Sequence, residues 1–223
     1  MKRLEVLYED NHIIAINKKS GDLSQGDKTG DNPLSDQVKA YIKQKYNKPG
    51  DVFLGVVHRL DRPVSGVILF ARTSKALTRL NKAFRKKEMQ KTYWAISRST
   101  PVPSEKKITH FLLKNPAKNK TTAFTSAKDG AKESTLIYKT LKSKNGETLI
   151  EILPLTGRPH QIRVQLSQQK ACIKGDVKYG DELSNPDQSI CLHAHSIRFT
   201  HPVKKEEMII KAPLPKQNWK NFS

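Results

Sequence analysis

The chain has 223 residues, of which 41 are Lys or Arg and 21 are Asp or Glu, so its formal net charge is +20. Such a length can bury a full core, and such a charge favours binding to polyanions, above all nucleic acid. No apolar run reaches the ~18 residues that a transmembrane helix needs, and no signal peptide or cysteine framework is visible. These features argue against membrane proteins and disulfide-rich secreted proteins, and we expect a cytoplasmic protein.

The first part of the chain predicts two short strands, at 4–8 and 12–17, followed by a loop at 20–31. Asn32 and Pro33 then have the pattern of an N-cap and a first helical residue, and the predicted helix ends near Tyr46. A strand at 52–57 leads to HRLDRPVSGVILFA at 58–71, whose apolar second half predicts a buried strand.

Within that stretch, Asp61 lies between Arg59 and Arg62 in a loop that runs straight into the predicted core strand. A carboxylate held there beside two guanidinium groups would stay ionised at neutral pH, which suits a positioned catalytic acid. A structural Asp that caps the turn before Pro63 explains the same residues, and this segment alone favours the structural interpretation.

The rest of the chain predicts several strands and two more helices. Ser74 is the predicted cap of a basic helix, and a hairpin at 133–141 and 148–153 is closed at Asn145-Gly146. Further strands are predicted at 92–96, 108–113, 189–200 and 208–211. With no linker or repeat, residues 1–223 are predicted to form one α+β domain on a mainly antiparallel sheet.

A second informative stretch is LTGRPHQIRVQL at 155–166. If Pro159 opens a helix, its first turn presents Arg158, His160 and Gln161, where a helix N-terminus attracts phosphate. His160 and Arg163 are three residues apart and would share one face of that helix. A surface helix with solvated basic residues explains the pattern equally well.

Metal and cofactor chemistry find little support in the residues. His193 and His195 share one face of a predicted strand, but no Asp or Glu lies between 191 and 201 to complete a metal site. No glycine-rich phosphate loop occurs, so no nucleotide cofactor is predicted. We therefore expect neither a metal nor a cofactor, and a metal-dependent nuclease using these histidines is one alternative.

Four segments in order resemble the RluA-type family of RNA pseudouridine synthases: HRLDRPVSGVILFARTSKA from His58, KTYWA from Lys91, LTGRPHQIRVQL from Leu155 and GDVKYGD from Gly175. HRLD alone would be a weak signal, whereas the four together are highly specific, and the similarity covers nearly the whole chain. The resemblance implies a bent, mainly antiparallel sheet with flanking helices and a central basic cleft.

The resemblance also implies residue roles. Asp61 matches the catalytic aspartate, Tyr93 matches the tyrosine that covers the target base, and Arg163 matches the basic residue that pairs with the aspartate. Arg59 matches the arginine that fills the gap left by the flipped base. Further RNA contacts are expected from the polar residues beside these motifs, which are His58, Arg158, His160 and Gln161.

The implied activity is isomerisation of a uridine in ribosomal or transfer RNA to pseudouridine. Asp61 would act either as a nucleophile at C1′ or as the base that removes a C2′ proton. Two departures from the family pattern, Lys19 for Pro and Gln165 for His, concern RNA contacts rather than catalysis. We expect a monomer without an N-terminal S4-type module, and the alternative is a non-catalytic RNA-binding or ribosome-assembly factor.

Overall fold

The computed structural model describes residues 4–26 and 30–222. Residues 27–29, within the loop predicted at 20–31, lie outside this range. The helices are α1 Leu34–Lys45, α2 Ser74–Arg85 and α3 Gln161–Gln168, with a short 3-10 helix at Val177–Tyr179. The strands are β1 Val6–Glu9, β2 Ile13–Lys18, β3 Gly55–Val56, β4 Ser65–Ala71, β5 Gln90–Ser97, β6 Glu105–Asn115, β7 Lys120–Phe124, β8 Lys132–Lys144, β9 Glu147–Pro154, β10 Leu192–Thr200 and β11 Glu207–Lys211.

The chain divides into two compact units. The first unit comprises Met1–Gln90 and Ala194–Pro213, and the second comprises Lys91–His193 and Leu214–Ser223. In both units, strands with antiparallel partners dominate, and the three helices are those that the residue pattern predicts. The predicted α+β class is therefore confirmed.

The first unit is built around β4, whose seven residues are all buried. β2 pairs antiparallel with β4 from Ile13↔Ala71 to Lys18↔Gly66, and β1 continues the sheet beyond β2. On the other side of β4 lies β10, which also pairs with β11. A strand with neighbours on both sides reads as a continuous apolar run, which explains the sequence SGVILFA.

Gly66 allows β4 to approach β10 closely. Its φ is +114°, and a Cβ at this position would lie 2.3 Å from the carbonyl oxygen of Ala194. Gly66→Ala should therefore destabilise the fold by about 3 kcal/mol, because it combines backbone strain with a clash against backbone atoms. Urea unfolding measures the loss, and Gly50→Ala, where an added Cβ meets nothing within 4 Å, is the matched control. Equal midpoints for the two variants would contradict the expectation.

The second unit is an antiparallel sheet in the order β5-β9-β8-β6-β7. The predicted Asn145-Gly146 turn is confirmed, because β8 and β9 pair up to Lys144↔Glu147 on either side of it. Helix α3 is buried at six consecutive positions, 161–166, and packs against β6 and β7. It is therefore an internal helix, not the surface helix that was the alternative interpretation.

Several predicted boundaries are wrong in detail. Pro33, not Asn32, is the N-cap of α1, and it has no side-chain cap. Thr73, not Ser74, caps α2, and its hydroxyl accepts a hydrogen bond from the N–H of Ala76. Helix α3 begins at Gln161, two residues after Pro159. Strand β7 was not predicted, because its sequence KTTAF is short and mostly polar.

Candidate active site

The segment from Lys18 to Ser24 surrounds the Asp61 loop in the first unit. Its polar groups donate hydrogen bonds to carbonyl oxygens of the loop. The Ser24 hydroxyl donates to the carbonyl of Leu60 at 2.8 Å, the Gly21 N–H donates to that of Arg62 at 2.9 Å, and the Ser20 hydroxyl donates to that of Pro63 at 3.0 Å. The Ser24 hydroxyl also accepts the Leu60 N–H at 3.1 Å. With its peptide groups paired on both sides of Asp61, the loop has a defined backbone position. We call these residues, 18–24, the cradle.

Lys18 is the buried anchor of the cradle, with no exposed surface. Its Nζ donates to three backbone carbonyls, those of Val64 at 2.7 Å, Arg62 at 3.1 Å and Lys19 at 3.1 Å. Burial lowers the pKa of Lys18 to about 8, and the nearby carboxylates of Asp22 and Asp61 oppose this shift. A cationic group therefore underlies the loop that carries the predicted catalytic acid.

Asp61 itself is half-buried, and its carbonyl accepts the N–H of Val64 at 3.0 Å, which closes the turn. Arg62 forms an ion pair with Asp31 at 2.8 Å and donates from Nε to the Gly21 carbonyl. Arg62 is thus a structural residue that ties the turn to the neighbouring loop. Arg59 is exposed, and its entry into an RNA stack stays a prediction.

His58, a predicted RNA contact, has a structural use in the first unit. Its Nε2 accepts the backbone N–H of Leu69 at 3.0 Å, and its ring lies 5.4 Å from the ring of Phe84. Because Nε2 accepts this hydrogen bond, it carries no proton, and the proton of the imidazole ring is on Nδ1. These contacts join the start of the HRLD stretch to β4 and α2, and the RNA contact of His58 stays a prediction.

In the second unit, the turn before α3 is held by Gln161. Its Oε1 accepts hydrogen bonds from the Thr156 hydroxyl at 2.8 Å and the Arg158 N–H at 3.0 Å, while Nε2 donates to the Thr135 carbonyl. Gln161 is only 4% exposed. The side-chain amide of Gln161 thus forms its hydrogen bonds within the protein, and its RNA contact stays a prediction. Arg158 is exposed at the tip of the turn.

His160 occupies the N-cap position of α3 in the left-handed region, with φ 55°. Such a conformation is uncommon for a residue with a Cβ and persists only where the surroundings hold it. The surrounding bonds are visible: Nδ1 lies 2.7 Å from the Tyr179 hydroxyl, and the side chain is 9% exposed. His160 therefore anchors the turn, and its RNA contact stays a prediction.

Arg163 is held on α3 by a carboxylate that sequence reasoning missed. Asp176 accepts from Nε of Arg163 at 2.7 Å with one oxygen and from Nη2 at 2.8 Å with the other. The arginine is 6% exposed and the aspartate 1% exposed. The guanidinium carbon also lies 4.9 Å from the centre of the Tyr179 ring. Two parallel charge-assisted hydrogen bonds fix both the position and the plane of the guanidinium.

Tyr93 is 8% exposed on β5 and pairs with Ile152 of β9. Its neighbour Trp94 points to the opposite side of the strand, where Nε1 donates to Glu151 at 3.4 Å. The two aromatic residues thus have different surroundings, as their alternation along the strand predicts.

The two departures from the family pattern differ in their surroundings. Lys19 belongs to the cradle, but its side chain is exposed. Gln165 has no exposed surface, and its Nε2 donates to the Ser134 carbonyl at 3.0 Å. The Gln165 departure therefore concerns packing inside the second unit rather than direct contact with RNA.

No cluster of three or more potential metal ligands occurs in the part of the chain that the structure describes. His193 is fully buried beside Trp219, with 5.9 Å between the ring centres. The nuclease alternative therefore lacks the ligand set it requires within residues 4–26 and 30–222. In the same residues, no helix is long and apolar enough to cross a membrane.

A net charge of +20 and an aspartate loop whose backbone is held by hydrogen bonds on both sides fit an enzyme that acts on nucleic acid. The model of the RNA pseudouridylate synthase family matches residues 12–168. The chain therefore belongs to the RNA pseudouridylate synthase family, whose members are isomerases, and the resemblance found in the sequence is confirmed.

Relatives and solved structures agree with this placement. The chain is 33% identical to ribosomal large subunit pseudouridine synthase C of Vibrio vulnificus (strain CMCP6) over 218 residues, 95% of this chain and 66% of that protein. It is 35% identical to the protein of that name from Escherichia coli (strain K12), covering 94% of this chain and 66% of the relative. The chain thus spans about two thirds of the length of these relatives.

Among solved structures, human RNA pseudouridylate synthase domain containing 4 is similar, with a TM-score of 0.79 and 24% identity over 95% of this chain and 89% of that one. Human RNA pseudouridylate synthase domain containing 1 has a TM-score of 0.73 and 22% identity, covering 96% of this chain and 84% of the other. These likenesses confirm the fold.

Sequence reasoning did not assign Lys18, Asp176 or Tyr179 to the site. For Lys18 a signal existed, because a lysine that directly continues the apolar strand IIAIN is a candidate for burial. Asp176 and Tyr179 lie in GDVKYGD, which carried the resemblance without a role, and both lie beyond the residues that the family model matches.

Proposed function

We propose that this chain converts specific uridines of large-subunit ribosomal RNA to pseudouridine. The RNA class follows the names of the relatives, which are ribosomal large subunit pseudouridine synthases. The observation that carries the proposal is the cradle, because Lys18, Ser20, Gly21 and Ser24 each form a hydrogen bond to the backbone of residues 60–64, around one carboxylate. A loop that only binds RNA would not need Asp61 held in this way.

The reaction breaks the N1–C1′ bond of the uridine, turns the base and forms a C5–C1′ bond. A proton leaves C5 and N1 gains one, so the atoms balance and no oxidant or energy source is consumed. Asp61 attacks C1′ directly or removes the C2′ proton to give a glycal, and in either route it must be ionised. The Asp61 carboxylate attracts the cationic Nζ of Lys18, which raises the pKa of Lys18 against the effect of its burial.

The remaining roles follow the family resemblance. Arg163 supplies the positive charge that orients the aspartate, and Tyr93 covers the target base and transfers a proton. The base must leave its stack first, which costs a few kcal/mol, and Arg59 offsets part of that cost by filling the gap. Arg59 and Arg158 are the two exposed members of the predicted RNA-binding set.

Phosphate contacts come from exposed basic stretches outside the site. Lys82, Arg85, Lys86 and Lys87 are exposed at the end of α2, and residues 114–120 are exposed at the turn between β6 and β7. Such contacts supply affinity without reading sequence. We propose further that the protein acts in the cytoplasm as a monomer, and that residues 1–223 form one catalytic domain.

Pseudouridine mapping tests the proposed function. Total RNA from cells that contain the protein, from cells that lack it, and from cells complemented with Asp61→Asn is mapped at single-nucleotide resolution. We expect one or a few sites in large-subunit ribosomal RNA that vanish without the protein and return only with the wild type. Sites confined to transfer RNA would overturn the RNA class, and identical maps would overturn the function.

Binding to RNA should weaken steeply with salt. If the basic stretches make 6–10 phosphate contacts, raising the salt from about 50 to about 200 mM lowers the affinity by about 10³-fold or more. Fluorescence anisotropy with a labelled ribosomal RNA fragment measures this dependence. A flat response would contradict a binding mode based on phosphates.

A further inference from the structure

We propose that Asp176 is a positioning residue for Arg163, and that Tyr179 is the platform on which this pair is assembled. The inference rests on the proposed function, because it assigns Arg163 a part in the reaction. It adds two residues that lie outside the matched family region and that no motif role covers.

The Asp176–Arg163 contact fixes one edge of the guanidinium. Nε and Nη2 both donate to Asp176, at 2.7 and 2.8 Å, so the direction of the Nη1 edge is determined as well. A monodentate partner would leave the group free to swing about its Cδ–Nε bond. The bidentate contact removes that freedom, which is the property that a catalytic cation needs.

Tyr179 packs against the arginine of this pair with its ring and is itself held in place through its hydroxyl. Its ring lies 4.9 Å from the guanidinium carbon of Arg163. Its hydroxyl accepts the Thr121 N–H at 2.8 Å and lies 2.7 Å from Nδ1 of His160. Burial raises the pKa of Tyr179 above its ordinary value. The Tyr179 side chain is therefore neutral at physiological pH, and its hydroxyl is engaged by Thr121 and His160.

The same ring connects Arg163 to a basic turn. Thr121 is the second residue of β7 and directly follows the exposed residues 114–120. Nζ of Lys120 lies 5.8 Å from the centre of the Tyr179 ring. Nζ of Lys178, which precedes Tyr179, donates to the Asn119 carbonyl at 3.3 Å. The turn proposed to contact phosphates thus rests on the residue that supports Arg163.

Asp176 also balances charge inside the second unit. A buried guanidinium without a carboxylate would be costly, and the pair removes this cost while keeping the cation in place. The 3-10 helix at Val177–Tyr179 follows Asp176 directly, so one short segment delivers both the carboxylate and the aromatic ring. This placement explains why both residues occur in a single motif.

The test compares Asp176→Asn with Glu147→Gln. Glu147 is the matched control, because it is also a buried carboxylate of the second unit, 9% exposed, in an ion pair with Lys174. Single-turnover and steady-state rates on the mapped ribosomal RNA fragment give kcat and KM, and thermal unfolding gives Tm. We expect Asp176→Asn to lower kcat about 10²-fold with KM nearly unchanged, whereas Glu147→Gln lowers Tm and leaves kcat unchanged.

Two further variants separate positioning from a structural role. In an Arg163→Met background, Asp176→Asn should cause no further loss of kcat, because Asp176 acts only through Arg163. Asp176→Glu keeps the charge and the ion pair but moves the guanidinium by about one methylene, so it should also lower kcat. It serves as the main variant if Asp176→Asn does not fold.

The NMR signal of the Arg163 Nε–H reports the clamp independently of activity. It should be protected from exchange in the wild type and in Glu147→Gln, and exposed to exchange in Asp176→Asn. Wild-type kcat in folded Asp176→Asn or Asp176→Glu, equal losses in Asp176→Asn and Glu147→Gln, or a further loss in the Arg163→Met background would each overturn the proposal. If the wild type forms no pseudouridine at all, the proposed function fails, and the exchange measurement alone still decides whether Asp176 holds Arg163.

Discussion

Asp61→Asn should lower pseudouridine formation by at least about 10³-fold, because an amide can act neither as a nucleophile nor as a base. The substitution preserves the shape of the side chain. The cradle binds Leu60, Arg62 and Pro63 through their backbone carbonyls, so these hydrogen bonds are kept. Affinity for RNA should stay within about threefold, since phosphate contacts supply most of it. Product is quantified on a ribosomal RNA fragment under single-turnover conditions.

Asp36→Asn is the control for the loss of one negative charge. Asp36 is exposed on the first turn of α1, where it pairs with Lys39 at 3.5 Å. This variant should retain the wild-type rate and Tm. Product formation by Asp61→Asn at the control's rate would show that the chain uses another group, and the assignment of Asp61 would be wrong.

Lys18→Met should damage both stability and catalysis. Three carbonyls that lose their donor cost about 4.5 kcal/mol at about 1.5 each. Relief from burying a charge returns about 3.5 kcal/mol, judged from the pKa of about 8. The net loss of stability at pH 7 is therefore about 1 kcal/mol, and kcat should fall about 10²-fold because the loop that carries Asp61 loses its anchor. Urea unfolding and single-turnover rates measure the two effects.

The exposed neighbour provides the control, because Lys19→Met removes the same charge beside the same loop without removing a buried donor. It should leave the free energy of unfolding and kcat within experimental error of the wild type. If the two lysine variants behave alike, the anchor interpretation of Lys18 is refuted.

The pH dependence of stability provides a second measurement of Lys18. In the folded chain its pKa is about 8, against 10.5 for an ordinary lysine. Between these values the unfolded state binds more protons, so stability rises with pH in this window. The advantage of the wild type over Lys18→Met should therefore grow by up to about 3 kcal/mol from pH 8 to pH 10.5. A constant difference would mean that Lys18 titrates normally.

Local patterns were sufficient for much of the fold. The continuous apolar run and β-branched content of SGVILFA located the central strand of the first unit, and Asn145-Gly146 located the β8–β9 hairpin. These signals succeed because turn geometry and burial on both faces constrain residue types over a few neighbouring positions. The caps of α1 and α2 were misplaced by one residue, since residue types fix the end of a helix only to within one or two positions.

Contacts between distant residues could not be predicted in the same way. Lys18 and Val64 are 46 positions apart, and only the pairing of β2 with β4 brings them together. His160 takes a left-handed conformation that no sequence rule suggests for histidine after proline, because Tyr179, 19 positions later, bonds its ring. The start of α3 is displaced to Gln161 for this reason.

The sequence by itself determined the excess of positive charge, the antiparallel α+β class and the family, and it predicted Asp61 as the catalytic acid. These properties reside in composition and in contiguous motifs, where each residue's neighbours in the chain carry the information. Only the tertiary structure decided that Lys18 is buried beneath the Asp61 loop and that Asp176 clamps Arg163. The physical reason is that a buried charge needs partners, and partners are supplied by whatever residues the fold places within hydrogen-bonding distance.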